Sequence, residues 1–256
     1  MTNRLKKSMA SFFTCGNMTC GCLSIILVGG GDFLRASWLL MLAIVFDMAD
    51  GRMARITNTT SDFGVQLDSL SDLVSFGVAP SIMMYQLVLN NLDKTGMAIA
   101  VLFVLCSALR LAKFNVMAQS GVVHDFFMGL PTPASAGLLV SFVLSCKLSV
   151  GALPFNTVPV LVKSMSPLLN IMPAVMVALS LLMISNIPYV SFKKLRYSRY
   201  KVLDFLVLIL LFICMFVQNV INTIFVLFFV YILSGVCSYV VKSWKNFKKL
   251  FEKSGK

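Results

Sequence analysis

Long apolar runs broken by short polar or basic turns dominate the chain, and the runs have the length at which a helix matches the hydrocarbon core of a bilayer, about 20 residues. The pattern predicts membrane helices at residues 15–28, 36–56, 62–90, 95–116, 127–146, 167–187, 202–217 and 221–241. The turns carry helix breakers, clearest at Gly29, Gly30, Gly31 and Asp32, and Pro80 is placed to kink the third helix. Ahead of the first run, residues 2–13 set Leu5, Met9, Phe12 and Phe13 at roughly helical spacing among Arg4, Lys6 and Lys7, the pattern of an amphipathic helix lying in a membrane interface. The run at 15–28 lacks a cleavage-site pattern and leads directly into further spans, so it reads as a membrane helix rather than a signal peptide. The expected fold is an all-α integral membrane protein with about eight transmembrane helices and an N-terminal interfacial amphipathic helix.

Composition agrees: 58% of the 256 residues are hydrophobic and 12% charged, with a mean hydropathy of +0.88, which leaves no room for a large soluble domain. The net charge of +12 is clustered at Arg4, Lys6 and Lys7, at Arg52 and Arg55, at Arg110 and Lys113, across residues 193–201 and across 242–256. Eight crossings with cytoplasmic termini put every cluster on the cytoplasmic side of a cell (inner) membrane, with only Arg35, Lys94, Lys147 and Lys163 opposite. Charge split among short loops and a tail argues for membrane lipids as partners and against nucleic acid. The seven cysteines form no CxxC pair and read as small core residues, and His124, the one histidine, falls in a polar loop.

Half of the ten acidic residues lie between positions 47 and 72, at Asp47, Asp50, Asp62, Asp68 and Asp72. On helices, Asp47, Asp50 and Ala54 share one face, and Gly64, Asp68 and Asp72 share another. Two helices then aim four carboxylates at one point near a membrane face. Such a group stays ionised only around a cation, and hard oxygen donors suit Mg²⁺, Mn²⁺ or Ca²⁺. An ion pathway in an ion-coupled transporter is the alternative from another class, but its acids are expected on distant helices or matched halves rather than within 26 residues.

Asp47-x-x-Asp50-Gly51-x-x-Ala54-Arg55, eight further residues, then Gly64-x-x-x-Asp68-x-x-x-Asp72 resembles the signature of the CDP-alcohol phosphatidyltransferases at all eight positions. The flanking segments DFGVQLDSLSDLVSFGVAP, LRLAKFN, GLPTP and SNIPYVSFK resemble the branch of that family that uses serine as the acceptor alcohol, over most of residues 14–194. The resemblance implies transfer of a phosphatidyl group from CDP-diacylglycerol to the hydroxyl of L-serine, with release of CMP. Glycerol phosphate or inositol phosphate is the alternative acceptor. It further implies two divalent cations, Mg²⁺ or Mn²⁺ with Ca²⁺ also suitable, held by Asp47, Asp50, Asp68 and Asp72, with Asp72 also the catalytic base. Gly51, Ala54, Arg55 and Gly64, together with Asn17, are expected to hold CDP-diacylglycerol. Arg110, Lys113 and Asn115 are expected to hold serine. The expected organisation is an interfacial segment at 1–14, a six-helix catalytic core at 15–190, and a basic loop, two further spans and a basic tail at 191–256, assembled as a homodimer.

Overall fold

The computed structural model describes residues 2–57, 62–119, 127–146, 166–189 and 220–254. The side chains of Ala54 and Arg55, His124, the basic run at 193–201 and the predicted span at 202–217 lie outside the described residues.

Helix α1 (Thr2–Gly29) and helix α2 (Phe33–Thr57) form an antiparallel pair. No proline interrupts residues 2–29, and the amphipathic start and the first apolar run are one continuous helix. It stops at the glycines. Gly31 takes a left-handed φ of 80°, the Gly31 amide donates to the Val28 carbonyl at 3.0 Å, and the Asp32 carboxylate accepts the Arg35 amide at 3.0 Å to start α2.

The third predicted helix is divided. Helix α3 (Asp62–Asp72) runs into a π-helical segment (Leu73–Val78), then α4 (Ala79–Leu87) and a 3₁₀ turn (Leu89–Leu92). Pro80 acts at the start of α4 rather than in mid-span: its nitrogen cannot donate to a carbonyl one turn back, and just before it the Ala79 amide reaches five residues back to Val74.

Helix α5 (Asp93–Gln119) follows, then a two-residue strand β1 (Phe127–Met128), α6 (Thr132–Cys146), α7 (Ser166–Ile184), strand β2 (Pro188–Tyr189) and α8 (Val220–Ser254). The β1–β2 pairing, antiparallel with Phe127 opposite Tyr189, is a small departure from an all-helical chain. α8 also runs through the basic tail instead of ending near residue 241.

α6 is the centre of the bundle, with nearly every residue from Thr132 to Cys146 buried. α2, α4 and α8 pack on it, while α7 packs on α5. The core cluster includes Leu40, Met83, Met84, Phe103, Leu139, Phe142 and Met176. Among the described residues, three stretches are long and apolar enough to cross a membrane: Phe12–Gly29, Leu89–Met117 and Asn222–Tyr239. α6 and α7 are apolar but shorter. Cys15, Cys20, Cys22, Cys106 and Cys237 carry free thiols.

Gly129 connects β1 to α6 with φ +83°, and a Cβ there would sit 2.4 Å from the Met183 carbonyl oxygen. Gly129→Ala therefore meets both a disfavoured backbone region and a backbone collision. We expect a loss of about 1–3 kcal/mol, visible as a lowered unfolding temperature in detergent, whereas Ala at exposed Gly29, where a Cβ meets nothing within 4 Å, leaves it unchanged.

Candidate functional site

Asp47 and Asp50 lie near the C-terminal end of α2, and Asp68 and Asp72 near that of α3. One carboxylate oxygen from each of Asp47, Asp68 and Asp72 comes within 4.8 Å of the others. Asp50, 7% exposed, lies within electrostatic reach of Asp47 and Asp68 and accepts a hydrogen bond from the Thr14 hydroxyl.

α1 sets this arrangement by an alternation of bonds along α3 and the π-helical segment. The Ser71 hydroxyl donates to the Thr14 carbonyl at 3.0 Å and the Ser75 hydroxyl to the Asn17 carbonyl at 2.9 Å. In return Asn17 Nδ2 donates to Asp72 Oδ1 at 3.1 Å. Gly21 makes the close approach possible, because a Cβ there would lie 2.4 Å from Ser75 Oγ and 2.9 Å from its Cα. Asn17 is fully buried and its Oδ1 has no hydrogen-bond partner among the described residues. A buried acceptor left open beside a carboxylate cluster is a place for a ligand donor.

Charges about 5 Å apart at an effective dielectric near 20 repel by about 3 kcal/mol, and three ionised carboxylates make three such pairs. The total, about 10 kcal/mol, is comparable to the stability of a whole domain, so a divalent cation is a fitting occupant. The donor set is right for one: all oxygen, half-buried to buried, on two helix ends held rigid by α1.

A second group of side chains meets the first from α5. Arg110 lies within electrostatic reach of Asp72 and Asp47, donates from Nη1 to Thr132 Oγ1 at 3.0 Å, and has its guanidinium carbon 5.7 Å from the centroid of the Phe114 ring. Lys113 Nζ donates to Asn186 Oδ1 at 2.6 Å. Asn115 Nδ2 donates to Ser69 Oγ at 2.8 Å, next to Asp68. Of the three residues expected at the acceptor, Arg110 alone faces the aspartates directly, while Lys113 and Asn115 tie α5 to the residues after α7 and to α3.

LRLAKFN, GLPTP and SNIPY, distant in the chain, thus become one cluster. The Gly129 amide donates to the Ile187 carbonyl and the Leu130 amide to the Leu182 carbonyl, both at 3.0 Å, which fixes the GLPTP turn against the end of α7. Gly51 and Gly64 are half-buried, on α2 and α3. Sequence reasoning passed over Thr14, Ser69, Thr132 and Asn186. Thr14 carried a readable signal, a polar residue three before Asn17 and so on the same helical face; Ser69 and Asn186 carried none, since their partners lie 46 and 73 residues away.

Residues 7–180 match the CDP-alcohol phosphatidyltransferase family, and the chain belongs to that family. Within it, the chain is 34% identical over 230 residues to the CDP-diacylglycerol–serine O-phosphatidyltransferase of Helicobacter pylori (strain J99), covering 90% of each chain. It is likewise 34% identical over 234 residues to the protein of the same name from Methanocaldococcus jannaschii, covering 91% of this chain and 94% of that one. To the archaetidylserine synthase of Methanothermobacter thermautotrophicus it is 37% identical over 175 residues, 68% of this chain and 65% of that one.

The site geometry separates the aspartate trio from the groups that support it. Asp47→Asn and Asp68→Asn should abolish Mn²⁺ binding in equilibrium titration of the folded protein. Thr14→Val, which removes the hydroxyl that bonds Asp50, should weaken it about tenfold, and Lys113→Met should leave it unchanged.

Proposed function

We propose that the protein transfers the phosphatidyl group of CDP-diacylglycerol to the hydroxyl of L-serine, giving phosphatidylserine and CMP. The observation that carries this reading is the meeting of the two groups: the Asp47, Asp68 and Asp72 cluster on one side, and Arg110 on α5, in electrostatic reach of two of those aspartates, on the other. The names of the Helicobacter and Methanocaldococcus relatives support serine as the acceptor.

In this reading Asp47, Asp50, Asp68 and Asp72 hold two divalent cations, Mg²⁺ or Mn²⁺, with Ca²⁺ also suited to the donors. Bound there, the cations would neutralise the pyrophosphate charge and so ease the departure of CMP. Asn17, with its open Oδ1 beside Asp72, and Gly51, Ala54, Arg55 and Gly64 hold CDP-diacylglycerol. Arg110 receives the serine carboxylate through its guanidinium fork, with Lys113 and Asn115 keeping α5 in register. Asp72, 7% exposed and oriented by Asn17, accepts the serine hydroxyl proton on a carboxylate oxygen as that hydroxyl oxygen attacks phosphorus.

The architecture we infer has eight membrane crossings, cytoplasmic termini and an active site near the cytoplasmic face of the inner membrane. The first 14 residues lie at the interface, residues 15–190 form the catalytic core, residues 191–256 add the remaining helices, and two copies associate as a homodimer. The positive clusters on one side of the predicted topology support the orientation.

Purified protein offered CDP-diacylglycerol and a panel of alcohols with Mn²⁺ should release CMP fastest with serine and lose this activity reversibly in EDTA. Release with glycerol phosphate or inositol phosphate but not serine would reassign the acceptor; ion flux without CMP release would reassign the class to a transporter. Asp72→Asn should retain CDP-diacylglycerol binding in the presence of metal yet lose phosphatidylserine formation by about three orders of magnitude or more. Near-normal turnover would remove Asp72 from the role of base.

A further inference from the structure

α8 lies beyond the residues that match the family, yet it reaches the acceptor side of the site. Its Tyr231 is in electrostatic reach of the Arg110 guanidinium, and the Tyr231 ring stands 5.9 Å, centroid to centroid, from the ring of Tyr189. One turn further along, Gly235 presses on the other tyrosine: a Cβ there would lie 2.1 Å from Tyr189 Cε1. Tyr189 is itself fixed by the β1–β2 pairing, opposite Phe127, in the same short segment as Asn186, the partner of Lys113. Arg110, Thr132, Tyr189 and Tyr231 therefore form one cluster drawn from α5, α6, β2 and α8.

Tyr189 is fully buried, and its hydroxyl has no hydrogen-bond partner among the described residues. A buried phenol without a partner is unfavourable, and a sequence with no use for it does better with Phe. Arg110 has five N–H donors, of which Thr132 takes one. A phenol oxygen beside the guanidinium is a suitable acceptor for another and would hold its plane fixed, leaving the remaining donors pointed toward an incoming carboxylate.

We propose that α8 closes the acceptor subsite with a pair of tyrosines: Tyr231 is a positioning residue that orients Arg110, and the Tyr189 hydroxyl is an unclaimed polar contact for the bound amino acid. The proposal rests on serine being the acceptor, and it adds to the subsite two residues outside the signature, one of them from a helix outside the catalytic core.

Steady-state kinetics of Tyr231→Phe and Tyr189→Phe, each with serine and CDP-diacylglycerol varied separately, test it alongside the unfolding temperature of each variant. Both substitutions keep the ring and its packing. Each should raise the KM for serine about five- to tenfold, as expected for one lost hydrogen bond, while the KM for CDP-diacylglycerol and the Mn²⁺ dependence stay within about twofold. A purely structural Tyr189 behaves oppositely, since removing an unpaired buried hydroxyl leaves the serine KM unchanged and the protein equally or more stable. That outcome at both positions, or an equal rise in both Michaelis constants, overturns the inference while leaving the acceptor assignment intact. A wild-type protein that forms no phosphatidylserine overturns the acceptor assignment, and this inference with it.

Discussion

A carboxylate carried into a bundle of apolar helices needs partners that lipid cannot supply, and the packing of α1 against α3 answers that need. Asn17 bonds Asp72, Ser71 and Ser75 return hydrogen bonds to the backbone of the same stretch of α1, and Thr14 bonds Asp50 on the neighbouring α2. The bonds run in both directions, so neither helix can slide without breaking several at once. Gly21, against Ser75, keeps the backbones close enough for short side chains such as Ser and Thr to reach across. The acidic cluster is thus a product of helix packing, and its rigidity comes from α1, a helix that contributes no acid to it.

The π-helical segment directly after Asp72 bears on the same problem. One extra residue in the turn rotates everything beyond it by about 100° relative to a continuous α-helix. α3 can therefore present Asp68 and Asp72 to the site while α4 turns Met83 and Met84 into the core. A straight helix through the whole segment would have to satisfy a polar and an apolar neighbour with one unbroken stripe. Pro80, lacking an amide hydrogen, makes the wider turn inexpensive at that point.

The acceptor side has a separate support. Arg110 bonds Thr132 on α6, Lys113 bonds Asn186 after α7, and the Gly129 turn locks those two segments together through backbone hydrogen bonds. The two halves join where Arg110 faces Asp72 and Asp47 and where Asn115 reaches Ser69. In the proposed reading, nucleotide and acceptor alcohol are thereby held by different helices, and a substitution on one side can weaken one substrate and spare the other.

By itself the sequence determined the membrane class, most of the helices and the acidic centre, because these depend on local quantities: the length of an apolar run, a glycine-rich break such as Gly29 to Gly31, and the three- and four-residue spacing that puts Asp47 with Asp50 and Asp68 with Asp72 on common faces. It also contained Asn17, Arg110, Lys113 and Asn115 as candidates. Only the tertiary structure decided which of them meet. Asp50 turns to Thr14 while the other three aspartates converge, Lys113 turns to Asn186, the third helix divides at Leu73, α1 runs on unbroken, and Tyr189 and Tyr231 come together from segments 42 residues apart. The reason is physical: in helices that are apolar on nearly every face, periodicity no longer says which face points inward, and the choice passes to pairwise fit between small residues and the hydrogen bonds that a lipid environment obliges the protein to make within itself.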